Sequence, residues 1–139
     1  MINDAFEIEI GGKKISIKTT NWAEQASGSC FVQCGQTSVM VNATMSPVAR
    51  EGIDFFPLTV EYEEKFYAAG KIFGSRFLKR ESRPTDEAVL TARIIDRAIR
   101  PLFPKDFKRE VQVIVTCLSW DGENDPDILG MIGASFALA

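Results

Sequence analysis

Phe6, Ile8 and Ile10 alternate with Glu7 and Glu9, a period of two that predicts a strand with one apolar and one wet face. Gly11-Gly12 predicts a turn, and Ile15 and Ile17 then alternate with Lys14, Ser16 and Lys18, so this stretch reads as a β-hairpin. Cys30 to Cys34 and Val39 to Met45 form a second pair of strands, turning at Gly35-Gln36-Thr37. Leu58 to Tyr67 reads as one long, charged strand with Val60 and Tyr62 on a shared face. Pro57 at its start suits a first position or a sheet edge, where a missing N–H costs nothing.

The pattern then changes. Ala68 to Pro84 is rich in Gly, Ser and basic residues and predicts a long loop, of a kind that is usually functional or disordered. Thr85 is a good N-cap, and Asp86 and Glu87 put negative charge at the positive end of the helix dipole. The helix is expected to run to about Arg100, where Pro101 stops it, with Leu90, Ile94 and Ile95 packing on the sheet. Val111 to Leu118 is the most apolar strand and is expected to be central. Asp125 followed by Pro126 opens a second helix. Ile128, Leu129, Met131, Ile132, Phe136 and Leu138 make it apolar nearly all round, so burial on more than one side is expected. No C-cap follows before Ala139, so the chain reads as the front of a larger domain. Neither internal repeats nor low-complexity segments are present.

Charge refines this picture. The chain has 139 residues, enough for one domain, and a net charge of −3. That balance is uneven. Residues 65–109 hold twelve Lys or Arg against five Asp or Glu, a local excess of +7, while the remainder carries −10. Localised positive charge marks where a polyanion would sit. No apolar run approaches the ~20 residues that span a bilayer, and the N-terminus lacks the basic and apolar regions of a secretion signal. Cys30, Cys34 and Cys117 are odd in number and have no C-x-x-C spacing, so they read as reduced, buried thiols of a cytoplasmic protein. Histidine is absent, which removes His-based triads, bases and metal ligands from this stretch.

Two constellations could carry chemistry. Arg93, Arg97 and Arg100 lie at i, i+4 and i+7 and so share a helix face. One reading is a solvated basic face neutralised by Asp96, Glu87 or a neighbouring element. The other, favoured by the basic loop beside it, is phosphate binding through two-point guanidinium contacts. Within Arg76 to Arg80, Phe77 could stack under a base while Lys79 and Arg80 meet phosphates, a combination suited to single-stranded nucleic acid. The plain alternative is an exposed loop with Phe77 and Leu78 turned inward. Gly70 and Gly74 are too little for an anion nest without a Gly-rich phosphate motif around them. Asp121, Glu123, Asp125 and Asp127 could hold Mg²⁺, but helix capping and solvation explain them better because Ca²⁺-loop spacing is absent. No metal site and no catalytic residue is assigned from this stretch.

The strings Asp54-Phe-Phe-Pro-Leu-Thr-Val-Glu-Tyr62, Tyr67-Ala-Ala-Gly-Lys-Ile72, Arg80-Glu-Ser-Arg-Pro84 and Ala92-Arg-Ile-Ile-Asp-Arg97 follow one another along the chain. They continue with Ile99-Arg-Pro-Leu-Phe-Pro104, Glu110-Val-Gln-Val113, Asn124-Asp-Pro-Asp127 and Met131-Ile-Gly-Ala-Ser135. In this order they resemble the polynucleotide phosphorylase family, specifically the N-terminal part of its first ribonuclease PH-like domain, which would take up 1–139. The family's loop usually has two adjacent Phe before its basic pair, whereas here Arg76-Phe77-Leu78-Lys79-Arg80 keeps one Phe and is one residue longer.

The resemblance implies an α/β (α+β) fold like ribosomal protein S5 domain 2, with a mixed sheet packed by helices. It implies 3′→5′ degradation of single-stranded RNA by phosphorolysis, with inorganic phosphate as substrate and nucleoside diphosphates as products. It further implies a ring-shaped homotrimer, a Mg²⁺ requirement with ligands outside this stretch, cytoplasmic localisation and no membrane partner. It leaves room for an RNA-degradation complex with an endoribonuclease and a helicase. Phe77, Lys79 and Arg80 would line the RNA channel, and Arg93, Arg97 and Arg100 would lie nearer the RNA 3′ end. The main catalytic centre is expected in a second ribonuclease PH-like domain, so this stretch alone would be inactive. The runner-up is a non-catalytic RNA-binding ring subunit of an exosome-like assembly. A ribosomal RNA-binding module is disfavoured by the acidic remainder of the chain.

Overall fold

The structure is a computed structural model describing residues 5–72, 74 and 83–139. In chain order the elements are β1 (Ala5–Ile10), β2 (Lys13–Thr19), β3 (Gly28–Cys34), β4 (Thr37–Ala49), β5 (Leu58–Glu63), α1 (Asp86–Ile99), β6 (Arg109–Ser119) and α2 (Pro126–Ala137). Short 3₁₀ turns at Phe66–Ala69 and Arg100–Leu102 flank the loop and α1. The strands form one sheet in the order β1-β2-β3-β4-β6-β5. Every neighbouring pair is antiparallel except β5 with β6. A parallel pair cannot close through a tight turn, and the connection carrying α1 supplies the crossover.

The expected hairpins are present. Gly11 and Gly12 turn β1 into β2 at φ of 59° and 76°, a conformation that disfavours other residues. Gly35 and Gln36 turn β3 into β4, while Thr37, expected in the turn, is the first residue of β4. Pro57 does precede an edge strand, since β5 closes the sheet.

The strand expected over Leu58 to Tyr67 stops at Glu63. The last pair with β6 is Glu63 with Thr116. Beyond it the chain coils into the 3₁₀ turn, closed by Gly70 at φ 67°, and Trp120 N donates to the Ala68 carbonyl. The turn thus folds back on the end of β6 in place of further ladder.

Period-two alternation puts Val32, Val39, Val41, Val111, Val113 and Val115 on one sheet face, all fully buried under the helices. Two glycines let α2 approach that face closely. A Cβ at Gly133 would lie 2.6 Å from Val41 Cγ2 and 3.0 Å from Val32 Cγ2, and one at Gly130 would lie 2.9 Å from Val115 Cγ1. In α2 only Ile128 and Ser135 are exposed, in line with its nearly uniform apolar pattern.

The phase of α1 differs from expectation. Ala88, Thr91, Ile95 and Ile99 face the core, whereas Leu90 and Ile94 are 59% and 56% exposed. Apolar residues occupy more than one side of this helix, so periodicity alone did not select the buried one. Small Ala88 permits close approach, and Thr91 Oγ1 donates to Asp127 Oδ2 on α2 at 2.8 Å. These contacts hold Ile95 and Ile99 inward and leave Leu90 and Ile94 outside.

Candidate nucleic-acid interface

The outer face of α1 begins at a well-made N-terminus. Thr85 Oγ1 accepts from Ala88 N at 3.0 Å and donates to Glu64 Oε2 at 2.7 Å, tying the helix start to the end of β5. Asp86 and Glu87 occupy the first turn. From there Arg93 and Arg97 project opposite the buried face and are exposed. Neither makes an ion pair or side-chain hydrogen bond with the described residues. With Leu90 and Ile94 beside them, they form a mixed cationic and apolar surface.

Arg100 has a different environment. Its Nε and Nη2 donate to Asp96 Oδ1 and Oδ2 at 2.7 and 2.6 Å, a two-point fork one turn back along the helix. Nη1 and Nη2 also donate to the backbone carbonyls of Phe56 and Leu58 at 3.0 and 3.2 Å. The guanidinium carbon lies 5.7 Å from the Phe56 ring centroid, and Phe56 packs with Phe103 and Phe107. The Asp96 hydrogen bonds raise the Arg100 pKa above its ordinary value despite some burial. Arg100 therefore fastens the end of α1 to the start of β5. The signal for this was Asp96 four residues earlier, the favourable order for an ion pair of this spacing. The structure separates Arg100 from Arg93 and Arg97, which it leaves together. Phe77, Lys79 and Arg80 lie outside the described residues.

Asp121, at the centre of the acidic loop, is saturated from within. Asp121 accepts from Glu123 N and Asn124 N at 2.9 Å, from Asn124 Nδ2 at 2.7 Å and from Thr37 Oγ1 at 2.9 Å. Gln36 N also donates to it at 3.1 Å. These bonds hold its carboxyl far below the usual carboxylate range, the Asn124 and Glu123 amides first. Asp125 caps α2 by accepting from Asp127 N at 2.9 Å. Asp127 accepts from Thr91, and the Tyr62 hydroxyl is pushed well above its ordinary pKa, first by burial and then by the nearby Asp127 charge. Among the described residues no three His, Cys, Asp or Glu side chains converge as a metal site. Asp121, Asp125 and Asp127 are committed to amides and hydroxyls, which leaves Glu123 alone without such a partner among the described residues, so the residues present do not fit a Mg²⁺ ion.

Cys30, Cys34 and Cys117 are free thiols and buried, as expected. Burial pushes Cys30 up to about 12 and Cys117 up to about 11, which suppresses thiolate reactivity. Among the described residues no helix is long and apolar enough to cross a membrane.

Residues 11–139 match the 3′ exoribonuclease family, domain 1. The chain belongs to that family. It is 58% identical over 132 residues to the polyribonucleotide nucleotidyltransferase of Pelotomaculum thermopropionicum, covering 95% of this chain and 18% of that protein. It is 55% identical over 138 residues to the enzyme of that name in Geobacter sulfurreducens, covering 99% and 20%. The chain thus spans about a fifth of the length of these curated relatives. Among solved structures, it is similar to a chain of the Archaeoglobus fulgidus exosome with RNA bound to the active site. The TM-score is 0.66 at 25% identity, over 91% of this chain and 50% of that one. A chain of an archaeal exosome core matches with TM-score 0.61 at 23% identity, over 91% and 47%, a likeness of fold. The fold expected from the sequence, ribonuclease PH-like with a mixed sheet and helices, is the fold observed.

Proposed function

We propose that this chain is the front of the first ribonuclease PH-like domain of a 3′→5′ exoribonuclease that degrades RNA by phosphorolysis. In that reaction an oxygen of inorganic phosphate attacks the phosphorus of the 3′-terminal nucleotide. Its bond to the 3′ oxygen of the preceding residue breaks, and a nucleoside 5′-diphosphate leaves. Phosphate is itself the nucleophile, so a stretch without His and without an activated Ser or Cys can still serve. Its task is to hold anions in place. The observation that carries the reading is the outer face of α1, where Arg93 and Arg97 keep their donors unspent among the described residues, available to phosphate oxygens. Leu90 and Ile94 beside them add an exposed apolar surface next to the two guanidiniums.

In this reading Phe77, Lys79 and Arg80 line the RNA path, and Arg93 and Arg97 sit nearer the 3′ end. Arg100 acts there by fixing the end of the helix. The main catalytic centre, a Mg²⁺ requirement and the KH and S1 modules that the family resemblance implies belong to other parts of a longer, trimeric protein. A second reading, an RNA-binding ring subunit without catalysis, is favoured by the likeness to exosome chains. The much higher identity to nucleotidyltransferases weighs for the enzyme. The test is to supply the full-length protein with single-stranded RNA and inorganic phosphate and identify the products. Nucleoside diphosphates, formed only when phosphate is present, are expected. Nucleoside monophosphates in phosphate-free buffer, or RNA binding without cleavage, would overturn the proposal.

A further inference from the structure

The apolar pattern of α1 does not by itself fix which way the helix faces. Leu90 and Ile94 flank the buried face of Ala88, Thr91, Ile95 and Ile99 and are exposed. At about 100° per residue, the arc from Leu90 through Thr91 and Ile95 to Ile99 covers about half of the helix surface. A turn toward Leu90 and Ile94 would exchange one apolar surface for another at little cost, because hydrophobic burial has no direction. A hydrogen bond has one.

Thr91 supplies that bond. It is buried on the core side of α1, where its neighbours are Ala88 and Ile95. Its Oγ1 donates to Asp127 Oδ2 on α2 at 2.8 Å. A carboxylate acceptor makes such a bond about twice as strong as a neutral one. One turn further along α1, Ile95 faces Gly130, where a Cβ would lie 3.5 Å from Ile95 Cδ1. Thr91 and Ile95 share a face of α1, and Asp127 and Gly130 share a face of α2. The two helices therefore meet at both levels, and the Thr91–Asp127 bond is the directional contact. The ends of α1 are tied elsewhere, Thr85 to Glu64 and Arg100 to Phe56 and Leu58. Among these anchors Thr91 is the one nearest to Arg93 along the helix.

Arg93 lies about 200° round the helix from Thr91, and Arg97 lies about 200° from Ile95. The contacts with α2 thus aim the arginine face from behind. That face lies about 6 Å from the helix axis, so a rotation of about 10° moves it by about 1 Å. Misplacing a group that holds a reactant by about 1 Å can cost on the order of a hundredfold in rate.

We infer that Thr91 and Asp127 are positioning residues for phosphate, their bond holding α1 in the rotation that presents Arg93 and Arg97. The inference rests on the role proposed above for the α1 face. The experiment measures kcat/KM for inorganic phosphate, with single-stranded RNA in excess, in the full-length protein. Thr91→Val keeps the branching of the side chain and removes the hydroxyl, whereas Thr91→Ser keeps the hydroxyl. The valine variant is expected to lose at least tenfold and the serine variant less than threefold. The valine substitution is then repeated in the Arg93→Ala, Arg97→Ala background. There its effect should shrink to less than twofold, because no guanidinium is left to aim. A residue that only stabilises the fold would cost the same factor in both backgrounds, and that result would overturn the inference. Full activity of Thr91→Val, or a serine variant as slow as the valine one, would overturn it too. If Thr91→Val does not fold, Asp127→Asn, which weakens the acceptor at constant size, takes its place and the same two backgrounds decide. A wild-type protein that forms no nucleoside diphosphate from RNA and phosphate would remove the proposed function and this inference with it. A wild-type protein that does form it, with equal losses in both backgrounds, would remove this inference alone.

Discussion

The acidic loop at 121–127 and the arginine face of α1 are both charge-dense, and they spend their charge in opposite ways. In the loop, Asp121 accepts hydrogen bonds from Thr37, Gln36, Glu123 and Asn124, and Asp125 and Asp127 serve α2 and Thr91. On α1, Arg93 and Arg97 have no ion-pair partner among the described residues. Arg100, seven residues from Arg93, behaves like the loop, since its donors go to Asp96 and two carbonyls. The difference lies in hydrogen-bonding capacity, spent in the loop's Asp121 and unspent on Arg93 and Arg97 among the described residues, and not in charge density. Saturated clusters hold elements together.

The comparison breaks first if the free arginines are structural. In the full-length protein, Arg93→Ala combined with Arg97→Ala should lower kcat/KM for RNA phosphorolysis at least a hundredfold, about 2.7 kcal/mol. Folding stability should stay within about 0.5 kcal/mol, as for surface positions without partners. Either single lysine should cost at least tenfold, because an ammonium cannot make the two-point contact. Normal kinetics with a lowered melting temperature would reverse the assignment.

Next in size is the anchor of the loop. Thr37 is fully buried, and its hydroxyl serves the Asp121 carboxylate, the Asp121 amide and the Asn124 carbonyl. Thr37→Val keeps the shape and strands those groups, so chemical denaturation should show a loss of about 2 kcal/mol. A neutral result would mean that the loop stands without this hydroxyl.

Arg100→Ala should cost about 1–2 kcal/mol by the same measurement, discounted for the partial exposure of the Arg100–Asp96 pair. Arg97→Ala should cost nothing measurable. Equal effects would remove the distinction between the two arginines.

The smallest effect concerns acid. Asp121 has a folded pKa below its unfolded value of about 3.9. Its contribution to stability is therefore complete above about pH 5 and is lost as pH falls through 4 and lower. Asp121→Asn should flatten this part of the stability curve, measured by urea unfolding between about pH 5 and 2. An unchanged slope would place the acid sensitivity elsewhere.

The two hairpins, the start of α1 at Thr85, the start of α2 at Asp125 and the alternation of β6 were all legible along the chain. Each rests on interactions between near neighbours: a glycine at positive φ, a capping oxygen within three residues, or a side chain pointing alternately up and down. The arginine spacing was equally legible, as was the likeness in motif order to the family. Three matters were not. The end of β5 depended on where β6 ceases to offer ladder partners. The phase of α1 depended on Thr91 reaching Asp127, 36 residues away. The division of Arg93 and Arg97 from Arg100 depended on carbonyls of Phe56 and Leu58, more than 40 residues away. Local sequence thus determined which elements form and where most of them begin. Tertiary structure decided which face of α1 is buried and which cations remain free, because those choices are made by partners distant in the chain and adjacent only once it has folded.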